Sequence, residues 1–279
     1  MLKVASVQLE PDFGNTPANL DKITAHVTHA AEGGARLIVL PELATTGYVF
    51  ESREEAFTLA ELVPGGSAAL ILAGLSEELG VHIVIGIAER SGDRLFNTSA
   101  VFGPSGLVGK FRKVHLWGDE NLIFEPGDLG FPVFHTPIGR IATFICYDGW
   151  FPESYRTCVI AGADIICIPT NWVPIPGQDE NRQAMATVLC MASAHSNSVV
   201  VVAADRIGTE RGQSFIGQSV IVGHTGWPLA GPASADREEI LYAEVDLAAA
   251  RRDRAWNAFN NPLRDRRPEA YSMPAGPIV

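Results

Sequence analysis

Three things are scarce in this chain: cysteine, positive charge and long apolar runs. Each shortage removes a class of function. Its four cysteines, Cys146, Cys158, Cys167 and Cys190, are irregularly spaced over 279 residues, giving neither a zinc-binding set nor a disulfide framework. A reducing, cytoplasmic setting is expected. Lysine and arginine number 21 against 32 aspartates and glutamates, a net charge of −11. That balance excludes a nucleic-acid surface and an anionic membrane as partners. No apolar run approaches the roughly 18 residues of a membrane helix, and Met1-Leu-Lys-Val-Ala-Ser-Val-Gln-Leu starts directly as a strand, without the order of a signal peptide. No glycine-rich loop has P-loop or dinucleotide spacing, and Gly103-Pro-Ser-Gly106 reads as a turn. Linkers, low-complexity stretches and visible repeats are lacking too, so residues 1–279 are expected to form one domain.

What remains is a chain that is 47% hydrophobic and 19% charged, ordinary for a soluble enzyme. Near-continuous apolar strands are expected at Val4–Leu9, Arg36–Leu40, Val81–Ala88, Phe96–Phe102, Arg140–Ile145, Ala163–Pro169, Ser198–Ala204, Ser214–Val222 and Glu239–Val245, with a further strand-like stretch over Leu107–Trp117. Helices are expected from a cap at Thr16 followed by Pro17, from Ser67 to Gly80, from Pro152 to about Gly162, over Asn181–Ser196, and briefly from Ala248. Strands alternating with helices imply a sheet covered by helices. Hairpins at Ser91-Gly-Asp93 and Pro137-Ile-Gly139 require antiparallel pairs as well. The class is therefore α/β with mixed sheets.

One stretch carries more chemistry than the rest. Arg140–Ile145 ends at Cys146, Asp148-Gly149 breaks the run, and Pro152-Glu153 suits a helix start. Cys146 then sits on a sharp strand-to-helix turn, which projects a nucleophile from a sheet into a cleft. On local sequence alone the plainer reading is a buried structural cysteine. A thiol nucleophile needs a base or a fixed positive charge. His115, His135 and His195 are candidate bases that no spacing distinguishes. Glu42 ends an apolar strand in Pro41-Glu42-Leu43, where α/β sheets place ligand crevices and where desolvation raises a carboxyl pKa. Lys113 ends a strand of its own and reads by itself as a solvated lysine.

Together, Pro41-Glu42-Leu43 with Gly47-Tyr48, Lys110-Phe-Arg-Lys113-Val-His-Leu116 with Glu120, and Cys146-Tyr-Asp-Gly-Trp-Phe-Pro-Glu153 resemble the carbon–nitrogen hydrolase family, the nitrilase superfamily. Val4–Gln8, Gly162-Ala-Asp164 and Arg266-Arg-Pro-Glu-Ala-Tyr271 extend the resemblance over nearly the whole chain. It implies a four-layered αββα sandwich that pairs to αββα-αββα in a homodimer or higher homo-oligomer, with the helix at Pro152 and the tail 255–279 at the interface. It also implies Cys146 as nucleophile, Glu42 as proton carrier, Lys113 as oxyanion cation with the Tyr147 N–H beside it, and Glu120 as the second glutamate. No metal or organic cofactor is called for.

Within that family, Tyr147-Asp148 after the cysteine resembles the amidase and carbamoylase branches rather than the Trp-Glu of true nitrilases. Trp150 stands where those branches often carry arginine, as it does in the N-carbamoylputrescine amidohydrolases. The expectation is an amidase that converts small aliphatic or aromatic amides to acid and ammonia through a cysteine thioester. Tyr48, Trp117, Tyr147, Trp150, Asn171 and Trp172 are the expected substrate-binding residues. A carbamoyl amine hydrolase, a nitrilase, a Cys-His hydrolase and a non-catalytic scaffold are the alternatives.

Overall fold

The structure is a computed structural model that describes residues 1–177 and 182–271. In chain order its strands are β1 (Leu2–Gln8), β2 (Leu37–Val39), β3 (His82–Ser91), β4 (Arg94–Gly103), β5 (Gly106–Arg112), β6 (Val133–Thr136), β7 (Gly139–Thr143), β8 (Ile165–Pro169), β9 (Val200–Ala204), β10 (Thr209–Glu210), β11 (Gln213–Ser214), β12 (Val220–Val222), β13 (Pro228–Ala230) and β14 (Glu239–Val245). The helices are α1 (Thr16–Glu32), α2 (Arg53–Leu59), α3 (Ser67–Leu79), α4 (Glu120–Ile123), α5 (Pro152–Ile160), α6 (Met185–Asn197) and α7 (Leu247–Arg252).

The strands form two six-stranded sheets, β14-β1-β2-β3-β4-β5 and β13-β12-β9-β8-β7-β6, besides the β10–β11 hairpin. In the first, β1, β2 and β3 run parallel and the outer pairs are antiparallel. In the second, β7, β8 and β9 are the parallel trio. Three apolar layers explain the stacking. Ile23, Val27 and Leu72 fill the space between α1, α3 and the first sheet. Val39, Val84, Ile141, Cys167 and Val202 lie between the sheets. Tyr155, Cys158, Cys190 and Ala194 join the second sheet to α5 and α6. A strand covered on both sides gains nothing from alternation, which is why β2, β8 and β9 are buried at every position. The result is the expected αββα arrangement of mixed sheets.

Several boundaries differ from the sequence reading. Helix α1 is capped by Asn15, not Thr16, with its side chain accepting from Ala18 N–H at 3.4 Å. Strand β5 stops at Arg112, so Lys113 to Trp117 is loop. The strand expected at Ser214–Val222 is interrupted, because Gly217 and Gln218 adopt positive φ and only Val220–Val222 joins the sheet. Helix α6 starts at Met185, and the expected start at Asn181 lies outside the described residues. Helix α2 was missed, although Ser52 caps it by accepting from Glu55 N–H, and Glu55 in turn accepts from Glu51 N–H just before the cap. Among the described residues no helix is long and apolar enough to cross a membrane.

Candidate active site

The candidate residues meet beyond the C-terminal ends of β2, β5, β7 and β8, which open there into loops. Glu42 follows β2 on a turn tied to β3, with Ala44 N–H donating to Gly86 O and Gly86 N–H to Pro41 O, each at 3.0 Å. A Cβ on Gly86 would lie 2.4 Å from Glu42 Cα, so only glycine lets the turn come this close. Lys113 follows β5, its N–H donating to Asn97 O on β4. Cys146 lies past β7 at φ 44°, in the left-handed region, which sterically disfavours any residue with a Cβ. Asp148 fastens this turn: its carboxylate accepts from Ile145 N–H and His115 N–H and pairs with His115 Nδ1 at 2.6 Å.

Glu42 and Lys113 are fully buried and 2.6 Å apart. Glu42 Oε1 also accepts from Asn97 Nδ2 at 2.6 Å, and Lys113 Nζ donates to Glu120 Oε1 at 2.7 Å. Glu120 Oε1 accepts from the Tyr48 hydroxyl as well, and Oε2 accepts from Trp117 N–H. Two carboxylates thus share one ammonium. Burial pushes the Glu42 carboxyl up to about 7; Lys113 pulls it down and Glu120 adds to the rise. For Lys113 burial acts downward, but the charges of Glu120 and Glu42 outweigh it and hold the ammonium above its usual range. Burial and the Glu42 charge push the Cys146 thiol well up, with Lys113 opposing. At neutral pH this is a thiol beside a carboxyl poised to accept its proton. Glu42 Oε2 is buried and has no hydrogen-bond partner among the described residues.

The other expected residues separate into two groups. Trp117, Tyr147, Trp150 and Trp172 line a cleft of about 20 Å³ at Cys146. Tyr48 and Trp117 line an adjoining cavity of about 220 Å³ with Phe50, Phe124 and Gln213. The two share Trp117 and Val173. Asn171 is placed differently: its Nδ2 donates to the Glu42 backbone carbonyl at 3.0 Å, bracing the glutamate rather than lining either space. Among the described residues no histidine lines the cleft at Cys146. His115 is bound to Asp148 and stacks on Phe151, while His135 and His195 are exposed.

Sequence reasoning missed four side chains that hold this assembly. Asn97 binds Glu42. Asp205 accepts from Trp172 N–H and Arg206 N–H, and Arg206 pairs with Glu210. A lone asparagine in Phe96-Asn97-Thr98 and an Arg/Glu pair four apart, directly after an all-apolar strand, were the available signals.

Residues 3–255 match the profile of the family described as Carbon-nitrogen hydrolase. The chain is 42% identical to a protein named nitrilase from Pyrococcus abyssi, over 97% of this chain and 99% of that one. It is 35% identical to N-carbamoylputrescine amidase from Solanum lycopersicum, over 98% and 94%. Among solved structures it superposes with TM-score 0.78 and 25% identity, over 97% and 95%, on a glutamate-to-glutamine mutant of an amidase from Nesterenkonia sp. AN1 whose active-site cysteine carries the acetamide moiety of fluoroacetamide.

Proposed function

The chain belongs to the carbon–nitrogen hydrolase family, and from that premise we propose that it is an amidase releasing ammonia from the terminal carboxamide of small, largely apolar amides. The observation that carries this reading is the buried Glu42 carboxyl, pushed up to about 7 and shared with Lys113 beside an un-ionised Cys146. A neutral thiol attacks well only if its proton leaves as the C–S bond forms. Glu42 Oε2 takes that proton, and the carbonyl oxygen becomes an oxyanion facing the Lys113 ammonium and the Tyr147 N–H. Such fixed donors stabilise the charge as it develops. Glu42 then protonates the departing nitrogen, which leaves as ammonia. Water, deprotonated by Glu42, cleaves the thioester to the acid and restores the thiol.

The shape of the site supports a terminal group. About 20 Å³ beside Cys146 accommodates one small unsubstituted group, since a single water already needs about 10–15 Å³. The wider aromatic cavity beyond it suits an apolar body. The name of the tomato relative favours carbamoyl amines as a second substrate class, and that of the Pyrococcus relative favours nitriles. Ammonia release from primary amides, N-carbamoyl amines and nitriles, with Cys146→Ala as the blank, tests the proposal. Amides fastest supports it, nitriles fastest overturns the amidase assignment, and silence across the panel revives the scaffold. We also infer a homodimer through α5 and the tail after residue 255, because Ile160, Trp256 and Phe259 are more than half exposed. An unaltered dimer by light scattering after deletion beyond Asn260 excludes the segment after Asn260 from the interface.

A further inference from the structure

We propose that Glu210 is a positioning residue, which, locked by Arg206, holds the Tyr48 backbone so that the Tyr48 hydroxyl engages Glu120 and keeps Lys113 aligned. The proposal deepens the Glu42–Lys113–Cys146 reading and rests on it. Glu210 Oε1 accepts from the N–H groups of Tyr48 and Val49 at 2.7 and 2.5 Å. Its Oε2 lies 2.6 Å from Arg206 Nη1, and both side chains are almost fully buried. Bonds from backbone N–H to a carboxylate are among the stronger hydrogen bonds, and losing the carboxylate orphans two donors at once.

The pair is built into its surroundings. The Arg206 guanidinium lies 4.1 Å over the Phe215 ring, and Phe215 meets the Tyr48 ring edge-on at 5.8 Å. Gly47 has φ 84°, and a Cβ there would lie 2.7 Å from Glu210 Oε2. The loop therefore has glycine at the point where the carboxylate approaches. The same segment holds the opposite wall, since Asp205 accepts from Trp172 N–H and Ile216 N–H donates to Trp172 O. From Glu210 the chain of contacts runs through Tyr48 N–H and hydroxyl to Glu120, then Lys113, then Glu42.

The consequence is a change in reactivity and in its pH dependence. Without Glu210, the Tyr48 hydroxyl leaves Glu120, and Glu120 loosens its hold on Lys113. Lys113 then pairs more fully with Glu42, and the nearby Glu120 charge that opposes Glu42 ionisation weakens. The groups facing Glu42 are Lys113 and Asn97 from the first sheet, Tyr48 from the loop after β2, Glu120 from α4, and Cys146 and Asp205 from the second. Of these, Tyr48, Lys113 and Glu120 change place; the Tyr48 hydroxyl stays uncharged, and the changes at Lys113 and Glu120 both let Glu42 ionise at lower pH.

The test is the rate of Cys146 alkylation by iodoacetamide across pH, read by mass, with Cys146→Ala as the blank for the other cysteines. Wild type is expected to gain reactivity as pH rises through about 7, following Glu42. Glu210→Gln should slow alkylation and kcat about 10- to 100-fold, with a smaller change in KM, as displaced supporting residues do, and should move the acid limb to lower pH. Tyr48→Phe should move the limb the same way, and the double variant should add little more. Glu210→Asp keeps a charge facing Arg206 but withdraws the carboxylate from the Tyr48 and Val49 N–H groups; it should move the limb the same way, and it decides the question if Glu210→Gln does not fold. An unmoved limb in the Glu210 variants, or additive effects with Tyr48→Phe, overturns the positioning role and leaves Glu42 as base. A wild-type profile with no limb near 7 removes the Glu42 reading, and this proposal with it.

Discussion

Glu42 is held in a state that costs the fold stability and serves the chemistry. Its folded-state pKa, raised to about 7 by burial, lies above the usual carboxylate value of about 4.3. The folded form therefore binds the proton more tightly than the unfolded chain. Stability from this group is fully present below the unfolded value and is lost as pH rises through 7. Glu42→Gln mimics the protonated acid and should raise Tm at pH 8 but scarcely at pH 5, as thermal melts at the two pH values will show. The same variant should lower kcat/KM by about 10²- to 10⁴-fold, the usual worth of a general base. Wild-type kcat/KM should rise with pH through about 7. At this scale the three motifs that resemble the family pointed to Glu42, Lys113, Glu120 and Cys146 together, whereas local pattern alone offered only Glu42 and Cys146 at strand ends and read Lys113 as solvated. Asn97 and Glu210 stayed hidden, since a polar residue in a strand or loop looks ordinary until its partner, 55 or 162 residues away, is known.

The crossing of β3 beneath the Glu42 turn sets how the carboxylate is aimed. Gly86 exchanges backbone hydrogen bonds with both sides of that turn, and a methyl group there would lie 2.4 Å from Glu42 Cα and from Leu43 N. Neither atom belongs to a flexible side chain, so the turn itself must shift. Gly86→Ala should cost about 1–3 kcal/mol, the range for overpacked cores. It should also reduce kcat/KM more than tenfold, because misplacing a reacting group by about 1 Å can cost 10²-fold. Denaturant melts and steady-state rates on one preparation check both. Strands and helices with continuous apolar faces, such as β8 and α1, were readable from periodicity alone. The stretch 215–219 was not, because Phe215-Ile216 reads as strand while Gly217-Gln218 turns away through positive φ.

At the scale of the whole molecule, the two sheets meet through an almost wholly aliphatic layer crossed by few polar contacts. One is the hydrogen bond between the Ser99 hydroxyl of β4 and the Thr143 hydroxyl of β7, 2.7 Å long and fully buried. Removing one partner leaves the other unsatisfied. Thr143→Val or Ser99→Ala alone should therefore cost about 1–3 kcal/mol, while the double variant should cost less than the sum. Denaturant unfolding of the four proteins measures this. The hairpins made mixed sheets legible, but strand order did not follow from sequence. Read from β14 and from β6, the two sheets have the same succession of antiparallel and parallel pairs. Yet one begins with the last strand of the chain, and no sequence repeat accompanies it.

Glu42 and Lys113 hang from one sheet and Cys146 from the other, so the distance from base to sulfur is a gap between two separate bodies. The aliphatic layer between them acts as a shim. Trimming or adding a methyl group at Val39, Ile141 or Cys167, which line neither space at the site, is expected to alter the thickness of that shim and with it the meeting of acid and thiol. Interior residues with no chemistry of their own thus become adjusting screws for the rate, through which the same site can be retuned without touching any group that meets the substrate.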